Sequence, residues 1–171
     1  MNTQRIFLIG MMGAGKTTLG RQLAGRLGYT FVDLDDYIVQ REGSSIAQLF
    51  EQVGQEGFRQ KERQALEAVV QQYDQAVIAT GGGAPCFFDN MAFINLHGTS
   101  IFLDAPADEL AQRLLLTDLS ERPLLAQKNE TELKDFIVKT LAARRVYYEQ
   151  ASHTLTGKRY NIDQLESLVK P

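Results

Sequence analysis

The chain has 171 residues, of which 44% are hydrophobic and 23% are charged, a composition that fits one soluble globular domain. Its net charge of −3 argues against nucleic-acid binding, which needs a basic surface, and it has no apolar run long enough to span a membrane. The polar start at Met1–Arg5 is unlike a signal peptide and the single cysteine, Cys86, cannot form an internal disulfide, so we expect a cytoplasmic protein.

The first predicted strand, Arg5–Ile9, leads into residues 10–17, which read Gly-Met-Met-Gly-Ala-Gly-Lys-Thr. This segment is a complete G-x-x-x-x-G-K-[ST] motif, and we call it the phosphate loop. Because a helix is predicted directly after it, at Lys16–Leu27, backbone N–H groups and a helix N-terminus can converge on a nucleoside triphosphate. Lys16 would reach the β- and γ-phosphates, and the Thr17 hydroxyl would bind Mg²⁺. The alternative is a glycine-rich turn before a capped helix.

Acidic residues follow the second predicted strand, Thr30–Val32, where a helix is predicted at Asp35–Arg41. Two carboxylates near a phosphate loop, Asp33 and Asp35, are costly unless a cation or a substrate proton uses them. One can hold Mg²⁺ through water, and the other can accept a proton from an attacking hydroxyl. Helix N-capping is the alternative, and it is strongest for Asp36.

Two helices are predicted next, at Ser45–Val53 and Gln55–Tyr73, and the second carries Arg59 in its first turn, with Glu62 three residues later. The helix dipole mildly disfavours an arginine at this end, so a carboxylate ligand could be what holds it there. The alternative is a solvated Arg–Glu pair on the helix surface.

A run of glycines, Thr80-Gly81-Gly82-Gly83, follows the third predicted strand, Ala76–Ala79. After a strand of a phosphate-loop sheet, glycines allow a ligand to approach the backbone, whose N–H groups can bind its anionic or hydroxyl groups. A flexible turn is the alternative.

The remaining chain continues the alternation, with strands predicted at Ser100–Leu103 and His153–Thr156 and helices at Asp89–Leu96, Ala107–Leu116, Glu130–Ala151 and Ile162–Val169. Residues 117–128 lack regular periodicity, which is typical of a mobile lid. Arg122 in this segment either reaches the transferring phosphoryl group or is an exposed loop arginine. In the long helix, the neighbours Arg144 and Arg145 cannot share a face, so at most one points into a given cleft.

Strand–helix alternation with short connections predicts an α/β fold, a five-stranded parallel sheet with helices on both faces. We expect residues 1–171 to form one domain, with the lid at about 113–128 within it. Ligands of such sheets bind at the carboxyl ends of the strands, so the residues that follow each strand are the candidate site.

Six motifs occur in order along nearly the whole chain: Gly-Met-Met-Gly-Ala-Gly-Lys-Thr-Thr at 10–18, Phe-Val-Asp-Leu-Asp at 31–35, Gly-Phe-Arg-Gln-Lys-Glu at 57–62, Thr-Gly-Gly-Gly at 80–83, Arg-Pro-Leu-Leu at 122–125 and Arg-Arg-Val-Tyr-Tyr at 144–148. Together they resemble the shikimate kinase family. The resemblance implies a fold like that of P-loop nucleoside monophosphate kinases and phosphorylation of the 3-hydroxyl of shikimate in aromatic amino-acid biosynthesis. It also implies ATP as co-substrate and Mg²⁺ as cofactor.

The resemblance further implies a role for each matching residue. ATP would be bound by Gly13, Ala14, Gly15, Lys16, Thr17, Thr18 and, from the lid, Arg122. Thr17 would contact Mg²⁺ directly, and Asp33 would do so through water. Shikimate would be bound by Asp35, Arg59, Gly82 and Arg144, with the two arginines on its carboxylate. The implied catalytic residues are Lys16, Asp35, as the base or the group that positions it, and Arg122.

The chain departs from the family pattern in three places. Val146 stands where the family has a proline, so the choice of Arg144 over Arg145 rests on the four-residue spacing to Tyr148. The segment before Arg122 is about two residues longer than in the family, which leaves open whether Arg113 faces the adenine. No residue of the turn at 157–161 is assigned to the adenine.

Two other functions are compatible with the same phosphate loop. A gluconate or nucleoside-monophosphate kinase also needs a lid and an arginine, although the acceptor residues describe a hydroxylated monocarboxylate better. A nucleotide switch would bind ATP without acceptor-dependent turnover. No heptad pattern or apolar patch predicts an oligomer, so we expect a monomer with small-molecule substrates and no nucleic-acid or membrane partner.

Overall fold

The computed structural model describes residues 4–119 and 125–170. The five strands are β1 Gln4–Ile9, β2 Thr30–Asp33, β3 Gln75–Ala79, β4 Thr99–Asp104 and β5 His153–Thr156. The α-helices of these residues are α1 Lys16–Leu27, α2 Leu34–Glu42, α3 Ile46–Gln72, α4 Asn90–His97, α5 Ala107–Leu115, α6 Glu130–Tyr148 and α7 Ile162–Val169. A short 3₁₀ helix spans Ala84–Cys86.

The strands form one sheet in the order β2-β3-β1-β4-β5, and all four pairings are parallel. The central strand β1 is buried on both faces, because its successive residues Ile6, Phe7, Leu8 and Ile9 are each 4% exposed or less. Helices must therefore cover both sides of the sheet, as parallel sheets require. The predicted fold class is confirmed.

Local signals placed most helix ends correctly. Gly28 and Gly43 end α1 and α2 in the left-handed conformation, and the side chain of Asn161 caps α7. The prediction of two helices on either side of Gly54 is also confirmed, since this residue has φ 70° and ψ −178° and kinks α3. The long helix α6 ends at Tyr148, three residues before the predicted end.

The parallel arrangement brings the carboxyl ends of all five strands to one edge of the sheet. The phosphate loop follows β1 there, Asp33 ends β2, and Thr80 follows β3. The Thr80 N–H donates to the Leu8 carbonyl of β1 at 3.1 Å, which ties the start of the glycine run to the strand that carries the phosphate loop. Across 4–119 and 125–170, no helix is long and apolar enough to cross a membrane.

Candidate active site

The phosphate loop forms a tight backbone ring between β1 and α1. Gly13 and Gly15 have φ values of +81° and +95°, which residues with a Cβ rarely adopt. The buried Lys16 ammonium donates to the carbonyls of Gly10 and Met11, at 2.7 and 2.8 Å. The backbone at the start of the loop thus holds the lysine ammonium close to the loop, which would bind a phosphate.

Asp33 joins the phosphate loop to α2. Its Oδ2 accepts from the Thr17 hydroxyl at 2.9 Å, and its Oδ1 accepts from the backbone N–H groups of Asp35 and Asp36, at 3.0 and 3.2 Å. The helix N-cap is therefore Asp33, so the capping alternative is confirmed for Asp33 and wrong for Asp36. Asp33 ends β2 in an extended conformation, so its side chain can reach both α2 and Thr17.

The Thr17–Asp33 pair fits a magnesium site that is completed by phosphate oxygens and water. Within the described part of the chain, no group of three or more His, Cys, Asp or Glu could hold a metal ion alone. Mg²⁺ usually takes one or two protein oxygens, several waters and substrate phosphates, so a hydroxyl and a carboxylate beside the phosphate loop are sufficient.

The three glycines at 81–83 are each approached by a different charged side chain. A Cβ on Gly81 would lie 3.0 Å from Asp35 Oδ1, one on Gly82 would lie 3.0 Å from Arg144 Nη1, and one on Gly83 would lie 2.5 Å from Arg59 Nη2. Residues far apart in the chain therefore meet around one short backbone segment. We call Asp35, Arg59, Glu62, Gly81–Gly83 and Arg144 the acceptor cluster.

Arg59 and Glu62 form a buried ion pair, so the alternative of a solvated pair on the helix surface is wrong. Arg59 Nη1 lies 2.8 Å from Glu62 Oε1, and their side chains are 11% and 2% exposed. Burial raises the pKa of Glu62, although the Arg59 charge and hydrogen bond act against it. The Nε of Arg59 is buried without a hydrogen-bond partner among residues 4–119 and 125–170. Such a donor is costly unless a ligand accepts from it.

The Asp35 carboxyl group interacts electrostatically with both Lys16 of the phosphate loop and Arg59 of the acceptor cluster. Burial raises its pKa, and repulsion from Asp33 adds to this, while the charges of Lys16 and Arg59 lower it. Asp35 therefore interacts with the charges of both Lys16 and Arg59, which makes it the member of the acceptor cluster that is coupled to the phosphate loop.

The two arginines of α6 point in different directions. Arg144 Nη1 lies 3.9 Å from Met11 Sδ, beside Gly82. Arg145 instead makes two hydrogen bonds of 3.1 Å to Asp104 at the end of β4, so it is ion-paired and not merely solvated. Adjacent helical positions differ by about 100°, which separates the two side chains.

Tyr148, one turn after Arg144, is a residue whose role the sequence did not reveal. It is fully buried, and its hydroxyl donates to the Gly82 carbonyl at 2.5 Å. Burial raises the pKa of Tyr148 to about 12, so the hydroxyl keeps its proton and can donate. The pattern Arg-x-x-x-Tyr on a helix was the available signal, because residues four apart share a face.

The lid arginine Arg122 lies outside the described residues. Arg113 in α5 donates to the Gly13 carbonyl at 3.1 Å and to the carbonyl of Lys158. It therefore links the phosphate loop to the turn at 157–161.

Comparisons with known proteins identify the family of this chain. The family model for shikimate kinase matches residues 12–169. A curated shikimate kinase from Bacteroides thetaiotaomicron is 45% identical over 162 residues, which are 95% of this chain and 89% of the relative. A crystal structure of shikimate kinase from the same species superposes with a TM-score of 0.91 at 41% identity, and covers 96% of this chain and 97% of its own. The shikimate kinase from Acinetobacter baumannii, solved in complex with shikimate, has a TM-score of 0.85 at 34% identity, with 98% and 92% covered.

Proposed function

Because the chain belongs to the shikimate kinase family, we propose that it transfers the γ-phosphoryl group of ATP to the 3-hydroxyl of shikimate. The products are shikimate 3-phosphate and ADP. One observation carries the residue assignments: three charged side chains from separate segments, Asp35, Arg59 and Arg144, meet at the glycines that adjoin the phosphate loop.

The two arginines suit the shikimate carboxylate. A guanidinium group binds a carboxylate through two parallel N–H donors, which fixes orientation as well as charge. Arg59 has a buried Nε without a partner in the described chain, and Arg144 lies beside Gly82, whose N–H would add a backbone contact. Glu62 is occupied with Arg59 Nη1 and so leaves the other donors of Arg59 for the ligand.

Asp35 is proposed to accept the proton of the 3-hydroxyl. As the hydroxyl oxygen forms a bond to the γ-phosphorus, the bond from that phosphorus to the bridging oxygen of ADP breaks, and the hydroxyl proton passes to the carboxylate. Burial and the nearby Asp33 raise the pKa of Asp35, which makes its carboxylate a stronger base than an exposed aspartate.

The phosphate loop is proposed to bind the triphosphate through residues 13–18, with Lys16 moving from the carbonyls of Gly10 and Met11 to the phosphate oxygens. Thr17 is proposed to bind Mg²⁺ directly and Asp33 to do so through water; when bound, the ion would neutralise charge on those oxygens. Arg113 and the turn at 157–161 are proposed to face the nucleotide base.

The remaining assignments are also part of the proposal. Residues 1–171 act as one domain and as a monomer in the cytoplasm, and the segment at about 113–128 serves as a lid that brings Arg122 to the phosphates and excludes water.

An acceptor-dependent ADP-release assay tests this function. The chain is incubated with ATP and Mg²⁺ and with shikimate, gluconate or AMP as acceptor, and the phosphorylated product is identified by ³¹P NMR. We expect ADP release that depends on shikimate and a new phosphomonoester signal. Turnover with gluconate or AMP alone would assign a different small-molecule kinase, and ATP binding without any acceptor-dependent turnover would indicate a nucleotide switch.

A further inference from the structure

Phe87 lies against the guanidinium of Arg59 and has no role in the function described above. The Cζ atom of Arg59 lies 4.3 Å from the centre of the Phe87 ring, compared with 5.3 Å for Phe58 and 5.9 Å for Phe50. A cation at this distance from a ring face is attracted by the ring's quadrupole. Phe87 therefore makes the closest of these aromatic contacts to the arginine that is proposed to bind the substrate carboxylate.

The segment that carries Phe87, residues 84–90, has an unusual backbone, and we call it the aromatic turn. After the short 3₁₀ helix, Phe88 and Asp89 both have left-handed φ values, 49° and 53°. Residues with a Cβ seldom adopt this conformation because the Cβ crowds the backbone, so the surroundings must hold it in place.

Arg63, one helical turn after Arg59 on α3, makes hydrogen bonds that hold the aromatic turn in this conformation. Its Nη1 donates to the Phe88 carbonyl and to Asn90 Oδ1, each at 2.9 Å. The Nδ2 of Asn90, a fully buried residue, donates to the Ala84 carbonyl at 2.8 Å and closes the turn on itself. The same helix thus carries Arg59 and holds the segment that places Phe87 against it.

An aromatic ring suits the position of Phe87, beside the Arg59 guanidinium, better than a second acidic side chain in addition to Glu62. All five N–H donors of a guanidinium lie in its plane, and a phenyl ring, which has no lone pair, takes none of them as a conventional hydrogen bond. Glu62 accepts from Nη1 in that plane, and Nε is still unpartnered within the described chain. A second carboxylate in the plane would compete with the substrate for those donors, whereas Phe87 can orient the group and leave them open.

We propose that Phe87 is a positioning residue, whose ring holds the Arg59 guanidinium in the orientation that binds the shikimate carboxylate. The inference rests on the proposed function, because that function assigns Arg59 to this carboxylate. Phe87 acts through Arg59 and needs no contact with the substrate.

Substitution of the ring tests the proposal. Phe87→Leu and Phe87→Met remove the ring and keep an apolar side chain, Phe87→Tyr keeps the ring, and Phe88→Leu changes the neighbouring exposed phenylalanine. For shikimate at saturating ATP, we expect kcat/KM to fall about 3- to 10-fold without the ring and to stay within about twofold of the wild type in Phe87→Tyr and Phe88→Leu. The KM for ATP is expected to be unchanged in all four.

A double-mutant cycle with Arg59→Gln separates a positioning role from a general structural one. If Phe87 acts through Arg59, adding Phe87→Leu to Arg59→Gln lowers kcat/KM for shikimate no further than Arg59→Gln alone. The proposal would be overturned if the losses in kcat/KM for shikimate were additive in the double variant. Equal losses in kcat/KM for shikimate and ATP, or wild-type kinetics in Phe87→Leu and Phe87→Met, would also overturn it. Failure of the wild type to release ADP in response to shikimate would instead contradict the proposed function.

Discussion

The phosphate loop and the acceptor cluster lie side by side at one edge of the sheet, yet they are built in different ways. The phosphate loop is a run of consecutive residues, 10–17, whose proposed donors to the phosphates are largely backbone N–H groups positioned by glycines. The acceptor cluster is assembled from side chains that lie between residues 35 and 144, and its two carboxyl groups, Asp35 and Glu62, have raised pKa values.

This difference determines how each region should respond to mutation. Backbone donors stay in place when most distant side chains change, because the strand–loop–helix path holds them. Buried charged side chains depend on every neighbour that neutralises or orients them, and each is costly when its partner is lost. Single substitutions in the acceptor cluster should therefore change shikimate kinetics and leave ATP binding intact.

The largest expected effect is at Asp35. Asp35→Asn removes the proton acceptor and no group of the phosphate loop, so kcat should fall by about 10²- to 10⁴-fold while the Kd for ATP stays nearly constant. Steady-state ADP release and ATP calorimetry measure the two quantities. Asp36→Asn, at the exposed neighbouring position, is the matched control, and an unchanged kcat in Asp35→Asn would refute the base assignment.

The next largest effect is expected at Arg59. Arg59→Ala removes hydrogen bonds to a charged group, so the KM for shikimate should rise by about 10- to 100-fold. Arg59→Lys should restore only part of this, because an ammonium has no planar pair of donors. Lys61→Ala, which breaks an ion pair between α3 and Glu42 at the end of α2, is the control. A loss of affinity for ATP with an unchanged KM for shikimate would mean that Arg59 binds the phosphates of ATP and not the shikimate carboxylate.

A smaller effect is expected from one methyl group at Gly82. Its Cβ would lie 3.0 Å from Arg144 Nη1, so the guanidinium must shift, and Gly82→Ala should raise the KM for shikimate about tenfold. Gly25→Ala is the control, since a Cβ at this position of α1 meets no atom within 4 Å. An unchanged KM in Gly82→Ala would contradict the place of Arg144 in the acceptor cluster.

Tyr148→Phe should have a weaker effect of the same kind. It removes the hydrogen bond to the Gly82 carbonyl and leaves the packing, so the KM for shikimate should rise about fivefold, as expected for one hydrogen bond. Tyr147→Phe changes the more exposed neighbour and should leave the KM unchanged. Equal values of KM in both variants would show that this contact does not position Gly82.

The smallest effect concerns stability and its pH dependence. Burial, followed by repulsion from Asp33, raises the pKa of Asp35 above its usual value of 3.8. Ionisation is therefore less favourable in the folded than in the unfolded state, so this destabilisation is absent below about pH 4 and develops as the pH rises through the raised pKa.

Because asparagine does not ionise, Asp35→Asn should raise the Tm by about 2 to 5 °C at pH 7 and by less as the pH falls toward 4. Thermal unfolding followed by circular dichroism between pH 4 and 8 measures this. A gain in Tm that is independent of pH would contradict burial of the charge as its cause.

The sequence predicted the fold and the phosphate loop because their signals are local. The motif at residues 10–17 occupies consecutive positions after a buried strand, and Gly28, Gly43 and Gly54 interrupt helical patterns where the backbone needs a positive φ. Strand–helix alternation then left a parallel sheet as the consistent arrangement. The motifs that resemble shikimate kinases supplied Asp35, Arg59, Gly82 and Arg144 as candidates, but not their geometry.

Only the tertiary structure decided which of several chemically similar side chains reach the acceptor cluster and which are buried. It turned Arg144 toward Gly82 and Arg145 toward Asp104, and buried the Arg59–Glu62 pair. It also brought Tyr148 and Phe87 to the acceptor cluster. Apart from the Arg59–Glu62 pair, which is local to α3 but is buried by the elements around it, these contacts join residues on different elements. They depend on strand order and helix rotation, which local sequence patterns do not encode. A turn or a cap is specified by its neighbours in the chain, whereas a buried charge is specified by what the fold places around it.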